Sequence, residues 1–159
     1  MGASSAGLWL SGSGRIYSLS RSGGLLAVAV GTVVDASLSD VLYDDCAIAG
    51  PCTLRAAGPT ATQARIGPSA EIRIPVTNDR SDSALSPDGR WLLLEDGLLD
   101  RRTGARVAHS FVLRSWRWSP DGRWLFVFPA NSDSVAVNLA DGRNVHLGHI
   151  GVLAGVVTR

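Results

Sequence analysis

The sequence predicts an all-β fold, a β-propeller of about four blade-like units, each a four-stranded antiparallel meander. Three observations lead there. The six residues Ser86-Pro87-Asp88-Gly89-Arg90-Trp91 recur unchanged at Ser119-Pro120-Asp121-Gly122-Arg123-Trp124, 33 residues on, and a fixed period of that size marks a repeat architecture. An apolar run follows each copy, Leu92-Leu93-Leu94 in the first and Leu125-Phe126-Val127-Phe128 in the second. Each copy then reaches a second turn signal, Thr103-Gly104 or Asp141-Gly142, that feeds one more short run.

The repeated hexapeptide has the chemistry of a tight turn. Pro presets φ at the second position, Ser and Asp bond neighbouring backbone, and Gly tolerates the exit. The flanks Trp116-Arg117-Trp118 and Trp124-Leu125-Phe126-Val127 are aromatic and β-branched, which suits a pleated strand better than a helix. A four-stranded sheet cannot bury both faces alone, so neighbouring units must stack on one another.

In chain order, residues 1–7 are small and polar and are expected to be a disordered N-terminus. The β-propeller blades then occupy 8–159. Residues 8–30 hold three β-like runs split by Ser11-Gly12-Ser13-Gly14 and Arg21-Ser22-Gly23-Gly24, a partial blade of strands two to four. A diverged blade covers 31–66, with strands at 32–38, 40–46, 52–57 and 61–66. The stretch 67–80 reads as a longer connection with room for one extra strand, and connections of that length are where ligand contacts concentrate. Further blades span 81–113 and 114–149, and residues 150–159 supply a lone closing strand. Two ring sizes follow from these ends. Either the closing strand completes a four-bladed ring with residues 8–10, or these blades are the C-terminal part of a larger ring.

The runs from Ser86 to Leu94 and Asp100 to Val107, with their second copies from Ser119 to Val127 and Val137 to Val145, resemble the WD40-like (PD40) repeats of TolB-type propellers, a bacterial exported type. The resemblance covers residues 84 to 148 well and the first half loosely. It implies the fold and a habit of binding partners, and it carries over no catalytic residue. In exported propellers of this kind a cysteine pair often brackets a hairpin. Cys46 and Cys52 stand on either side of Ala47-Ile48-Ala49-Gly50-Pro51, whose Gly-Pro marks a turn. A disulfide there would stabilise by about 2 kcal/mol in the chain-entropy model and would fit an extracytoplasmic site, periplasmic or cell-surface. Two free thiols in a cytosolic protein are the alternative reading.

Composition narrows the function. At 159 residues, 45% hydrophobic and 18% charged, the chain is globular. A net charge of +1 without a basic block argues against nucleic acid as a partner. All 15 basic residues are Arg, so neither a Schiff-base lysine nor a P-loop lysine exists. The longest apolar run, from Leu25 to Val34, is interrupted by Gly31 and is too short for a membrane span; no export signal is visible in this segment.

The remaining candidates each have a plain structural alternative. Zinc held by Cys46, Cys52, His146 and His149 would need a loose Cys-x₅-Cys spacing and a distant His pair, and surface histidines explain the latter better. Trp116 and Trp118 share a strand face, as do the repeat-equivalent Trp91 and Trp124 their own positions; packing between blades outweighs an aromatic platform. Ser86, Pro87, Asp88, Gly89 and Ser119, Pro120, Asp121, Gly122 read as structural turn residues rather than as acid-base groups. Residues 78–82 and 131–134 are oxygen-rich loops suited to a weak cation or polar ligand, without the spacing of an EF-hand. The neighbours Asp44 and Asp45 point to opposite faces of a strand and do not form a shared metal site. No Gly-x-Ser-x-Gly elbow is present, and Gly12-Ser13-Gly14 lacks the third Gly and the helix of a dinucleotide site.

The expectation is therefore a non-catalytic scaffold, without metal or cofactor, whose loops hold a protein or polysaccharide partner, with self-association if the ring is incomplete. The alternative is the gating propeller of a larger hydrolase of the prolyl-oligopeptidase type, whose catalytic domain this sequence does not contain.

Overall fold

Alternation of apolar and polar residues between tight turns produces 14 strands among the described residues. A computed structural model describes residues 8–46, 50–75, 83–109, 113–130 and 132–149. The expected disordered stretch 1–7, the closing strand at 150–159 and the polar loop at 78–82 lie outside the described residues. The chain divides into two compact units, Met1–Arg73 and Ile74–Arg159. Each contains two antiparallel meanders in which sequence neighbours pair, the sheet construction of β-propeller blades.

In the first unit, β1 (Leu8–Gly12), β2 (Arg15–Leu19) and β3 (Leu25–Val30) form a three-stranded sheet in the order β1-β2-β3. Ser13 and Gly14 both take positive φ, 53° and 71°, the geometry of a hairpin turn whose twist matches its strands. The chain passes to the next sheet at Gly31, whose N–H bonds the Gly14 carbonyl at 2.8 Å. A Cβ there would run into the Asp44 carbonyl and the Tyr43 ring, so the crossing requires glycine. The second sheet is a four-stranded meander of β4 (Thr32–Ala36), β5 (Val41–Cys46), β6 (Cys52–Ala57) and β7 (Gln63–Pro68), followed by a 3-10 turn at Ser69–Glu71.

These two sheets share a core in which Ile16, Val28 and Ala29 meet Val41, Tyr43 and Ala57, with Trp9, Ala36 and Ala61 at its margin. Three polar links cross the same junction. The Trp9 indole donates to the Ser37 carbonyl at 2.8 Å, Ser18 Oγ to the Pro59 carbonyl at 2.8 Å, and Gln63 Nε2 to the Val28 carbonyl at 2.8 Å. Gln63 also accepts the Tyr43 hydroxyl at 3.0 Å. Burial is the main cause that raises the Tyr43 phenol above its usual range.

In the second unit, β8 (Trp91–Leu94), β9 (Gly97–Asp100) and β10 (Arg106–Ala108) form one sheet, and β11 (Leu113–Trp118), β12 (Trp124–Pro129), β13 (Ser134–Asn138) and β14 (Asn144–Gly148) the other. Every residue of β8 and β9 is buried. The four-stranded expectation holds in full for the last sheet, as it does for β4–β7. In the β8–β10 sheet the first strand shrinks to a bridge between Leu85 and Leu92, with Leu93 N–H donating to the Ala84 carbonyl at 2.8 Å. Beside it the Ser83 carbonyl accepts both the Trp116 and the Trp118 indole N–H at 2.8 Å each, which ties the two sheets together.

Candidate functional site

The two repeated turns superimpose bond for bond. In the first, Ser86 Oγ accepts the Trp91 amide at 2.9 Å and donates to Asp88 Oδ1 at 2.6 Å, while Asp88 Oδ1 also accepts the Arg90 amide at 3.1 Å. In the second, Ser119 Oγ accepts the Trp124 amide at 2.9 Å and donates to Asp121 Oδ1 at 2.5 Å, and Asp121 Oδ1 accepts the Arg123 amide at 3.1 Å. Gly89 and Gly122 close the turns by donating to the Ser86 and Ser119 carbonyls at 2.8 and 2.9 Å. Each Ser is buried. The Ser119 hydroxyl, first, and the Arg123 amide, second, hold the Asp121 carboxyl below its usual range. A carboxylate so stabilised is a poor proton acceptor, so the Ser–Asp pair acts as a backbone clasp.

The two turns also touch each other. A Cβ on Gly122, which has φ +68°, would lie 3.0 to 3.3 Å from the Asp88 carboxyl atoms. Glycine is required here twice over, by its left-handed backbone and by its neighbour.

Beside the first turn stands a residue that sequence reasoning left unassigned. Asp100 pairs with Trp91 across β8 and β9, the register place that Asn138 holds opposite Trp124 in the second copy. Its buried carboxylate accepts Arg90 Nη2 at 2.8 Å and the Arg102 amide at 2.9 Å. The Arg90 hydrogen bond, most of all, lowers the Asp100 pKa to about 2. Arg90 also lies 4.9 Å over the Trp91 ring, a cation–π contact. The Asp100–Asn138 correspondence, visible once the two copies are aligned at their tryptophans, is the signal that points to this pair.

Cys46 and Cys52 are joined by a disulfide across the β5–β6 hairpin, where they are direct cross-strand partners. They are therefore not thiolate ligands, and no metal-holding group of His, Cys, Asp or Glu occurs among the described residues. His146 is exposed in β14, and His149 pairs with Asp133 at 2.8 Å. Asp44 accepts the Ser69 hydroxyl at 2.6 Å while Asp45 pairs with Arg55 at 2.8 Å, so the two carboxylates serve different neighbours. Trp116 is fully buried and Trp118 half-buried, and their shared acceptor places both between sheets.

The feature best suited to recognition is the outer face of the first sheet. Its cross-strand rows are Leu8–Leu19–Leu25, Leu10–Tyr17–Ala27 and Gly12–Arg15–Val30. Leu8, Leu10, Leu25 and Val30 are 59%, 43%, 57% and 69% exposed, whereas Ile16, Val28 and Ala29 are buried in the core. These side chains form a contiguous apolar surface. Period-two leucines at positions 8 and 10 identify a strand, but the sequence alone does not say which face a neighbouring sheet covers.

Fold and turns together define a propeller-type repeat protein built from antiparallel blade units. Among solved structures the chain is similar to TolB from Acinetobacter baumannii, at a TM-score of 0.45 and 16% identity, over 87% of this chain and 38% of that one. No family model matches the chain. No curated protein matches it either. No helix among the described residues is long and apolar enough to cross a membrane.

Proposed function

We propose that this chain is a non-catalytic propeller scaffold that binds a protein partner in an oxidising, extracytoplasmic compartment. The open apolar face of β1–β3 carries the reading, because Leu8, Leu10, Leu25 and Val30 lie together where a soluble surface ordinarily scatters such residues. Aliphatic rows favour a protein over a polysaccharide, whose recognition draws on aromatic stacking and dense hydrogen bonding. The Cys46–Cys52 disulfide supports the compartment, since such bonds persist where thiols are not kept reduced. The engagement of Ser86 and Ser119 with their own turns supports a structural role for the hydroxyls a hydrolase reading would look to.

The test is a benzoylphenylalanine placed at Leu10 and irradiated in the producing cells. Specific cross-linking to a protein is expected at this position and not at a control position such as Arg143, which is exposed on the other unit. Equal labelling at both positions, or none at either, overturns the reading.

A further inference from the structure

The binding reading leaves the form of the partner unnamed. We propose that β3 takes an added strand from a protein partner, an extended and uncharged aliphatic segment that pairs along the sheet edge at residues 25–27; this rests on the binding reading above.

Each of the four meanders ends on an edge strand, β3, β7, β10 or β14. An unpaired edge invites another strand, and folds blunt it with charge, proline or shortness. β7 carries Arg65 and Pro68, β10 is three residues long and opens on Arg106, and β14 alternates the polar Asn144 and His146 with Val145 and Leu147. β3 has none of these devices. Its six residues, Leu25-Leu26-Ala27-Val28-Ala29-Val30, include no charge, no polar side chain and no proline.

Register shows which backbone groups this edge offers. Ser20 N–H donates to the Gly24 carbonyl at 2.8 Å, so the ladder of β2 on β3 begins with a hydrogen-bonded pair. Bonded and non-bonded pairs alternate from there. Leu19–Leu25 and Tyr17–Ala27 are the non-bonded ones, and the N–H and C=O of Leu25 and Ala27 therefore turn away from β2 to the open edge. Leu25 and Leu26 are 57% and 47% exposed, and Ala27 is exposed with them. Beyond Ala27 the window shuts, because the Val28 carbonyl is taken by Gln63 Nε2 at 2.8 Å and the Val28 side chain is buried. Outward donors and acceptors at alternate residues are the bonding repeat of one short added strand.

The side chains around the edge set the chemistry of that strand. Cross-strand neighbours share a face, so residues added beside Leu25 and Ala27 prolong the rows Leu8–Leu19–Leu25 and Leu10–Tyr17–Ala27. A residue beside Leu26 joins the row of Trp9 and Ser18 on the opposite face. No charged group stands in any of these rows, so a segment with aliphatic side chains at three consecutive positions fits and a charged one does not. Backbone bonds supply the affinity in strand addition and the flanking side chains supply the selection. A helix, or a folded surface whose backbone bonds are already made, has no such row of donors and acceptors to present, and the edge therefore selects an extended chain.

Amide hydrogen exchange of the full chain, read by NMR, tests the proposal. The probe is a soluble peptide with the aliphatic run Val-Leu-Val between threonines, added at millimolar concentration. Exchange is expected to slow about tenfold at Leu25 and Ala27, whose N–H groups the added strand bonds, and to stay unchanged at Leu26, whose N–H already serves β2. Ala27→Pro removes one outward donor and leaves the inward ladder intact, and is expected to abolish the slowing at Leu25 with an unchanged thermal melt. If that variant melts early, the peptide N-methylated at both valines repeats the test on the wild type and is expected to protect neither amide. No slowing with the unmodified peptide, or slowing that the N-methylated peptide reproduces, overturns the proposal. Slowing in the chain alone that grows with its own concentration assigns the edge to a second copy and overturns it as well. The cross-link from Leu10 separates the strand addition from the reading beneath it. Capture of a protein that Ala27→Pro leaves undiminished overturns the strand addition and leaves the scaffold reading standing, whereas no capture in either protein overturns the scaffold reading.

Discussion

Asp100→Asn should convert the first repeat into a replica of the second at one rung. In the second copy Asn138 already accepts the Ala140 amide at 2.9 Å, as Asp100 accepts the Arg102 amide at 2.9 Å. The difference lies in the arginine. Arg90 is held by Asp100 at 2.8 Å, while Arg123 extends into solvent with 77% of its side chain exposed, 3.9 Å from Asp121. Lowering the Asp100 pKa from 3.8 to about 2 corresponds to roughly 2 kcal/mol of folding stability at 1.36 kcal/mol per pKa unit. The folded-state value is the lower one, so this contribution is complete above the unfolded value near 4 and disappears as pH falls towards 2. At pH 7 the asparagine variant should lose about 1–2 kcal/mol, since it keeps the amide hydrogen bond and Arg90 regains some water. That loss lowers the melting temperature by about 2–8 °C for a chain of this length. Urea titrations of both proteins at pH 7, 4 and 2.5 measure it, with the gap expected to narrow to about a third of its full size at the lowest pH. A deficit of only a few tenths at pH 7, or one that does not change with pH, would refute the ion-pair reasoning.

Other substitutions probe separate parts of the same fold. Asn138→Asp offers Arg123 a carboxylate at the place Asp100 holds for Arg90 and should stabilise by up to about 1 kcal/mol at pH 7, seen as a rise in urea midpoint that vanishes in acid. Gly122→Ala adds a methyl against Asp88 at a left-handed residue and should cost about 1–3 kcal/mol, more than Gly142→Ala, where φ is +73° but nothing lies within 4 Å; paired thermal melts compare them. Ser119→Ala removes the acceptor for the Trp124 amide and the donor to Asp121 and should cost about 1–3 kcal/mol in urea titration, with Ser86→Ala similar. Joint replacement of Cys46 and Cys52 by serine should lower stability by about 2 kcal/mol, matched by the effect of reductant on the wild type and by no effect of reductant on the variant.

What the sequence reveals about this molecule follows how local each interaction is. The repeated turns are legible because the Ser–Asp bonds that shape them span at most five residues, from Ser86 to Trp91 and from Ser119 to Trp124. The hairpin around Cys46 and Cys52 is legible for the same reason. The tether of the Ser83 carbonyl is not, because its donors are two indoles 33 and 35 residues away. Asp100 reads in sequence as the start of a turn with Arg101, Arg102 and Thr103, and only the register of β8 on β9 brings it to Arg90. The apolar face of the first sheet is half legible. Alternation finds the strands, while the covered side is decided by Val41, Tyr43 and Ala57 on a different sheet.

The double hydrogen bond to the Ser83 carbonyl gives the second unit a built-in optical reporter. Two of the chain's five tryptophans have their indole nitrogens tethered to one backbone atom, so peeling the Ser83–Leu85 segment away hydrates both fluorophores in a single event. Their emission should move to longer wavelength before the strands behind them separate. Trp9, anchored to Ser37 in the first unit, is the one indole whose signal overlaps from that side, and Trp9→Phe removes it. The emission that remains comes from Trp91, Trp116, Trp118 and Trp124, and with Trp91 and Trp124 also replaced by Phe it follows a single carbonyl leaving its two partners.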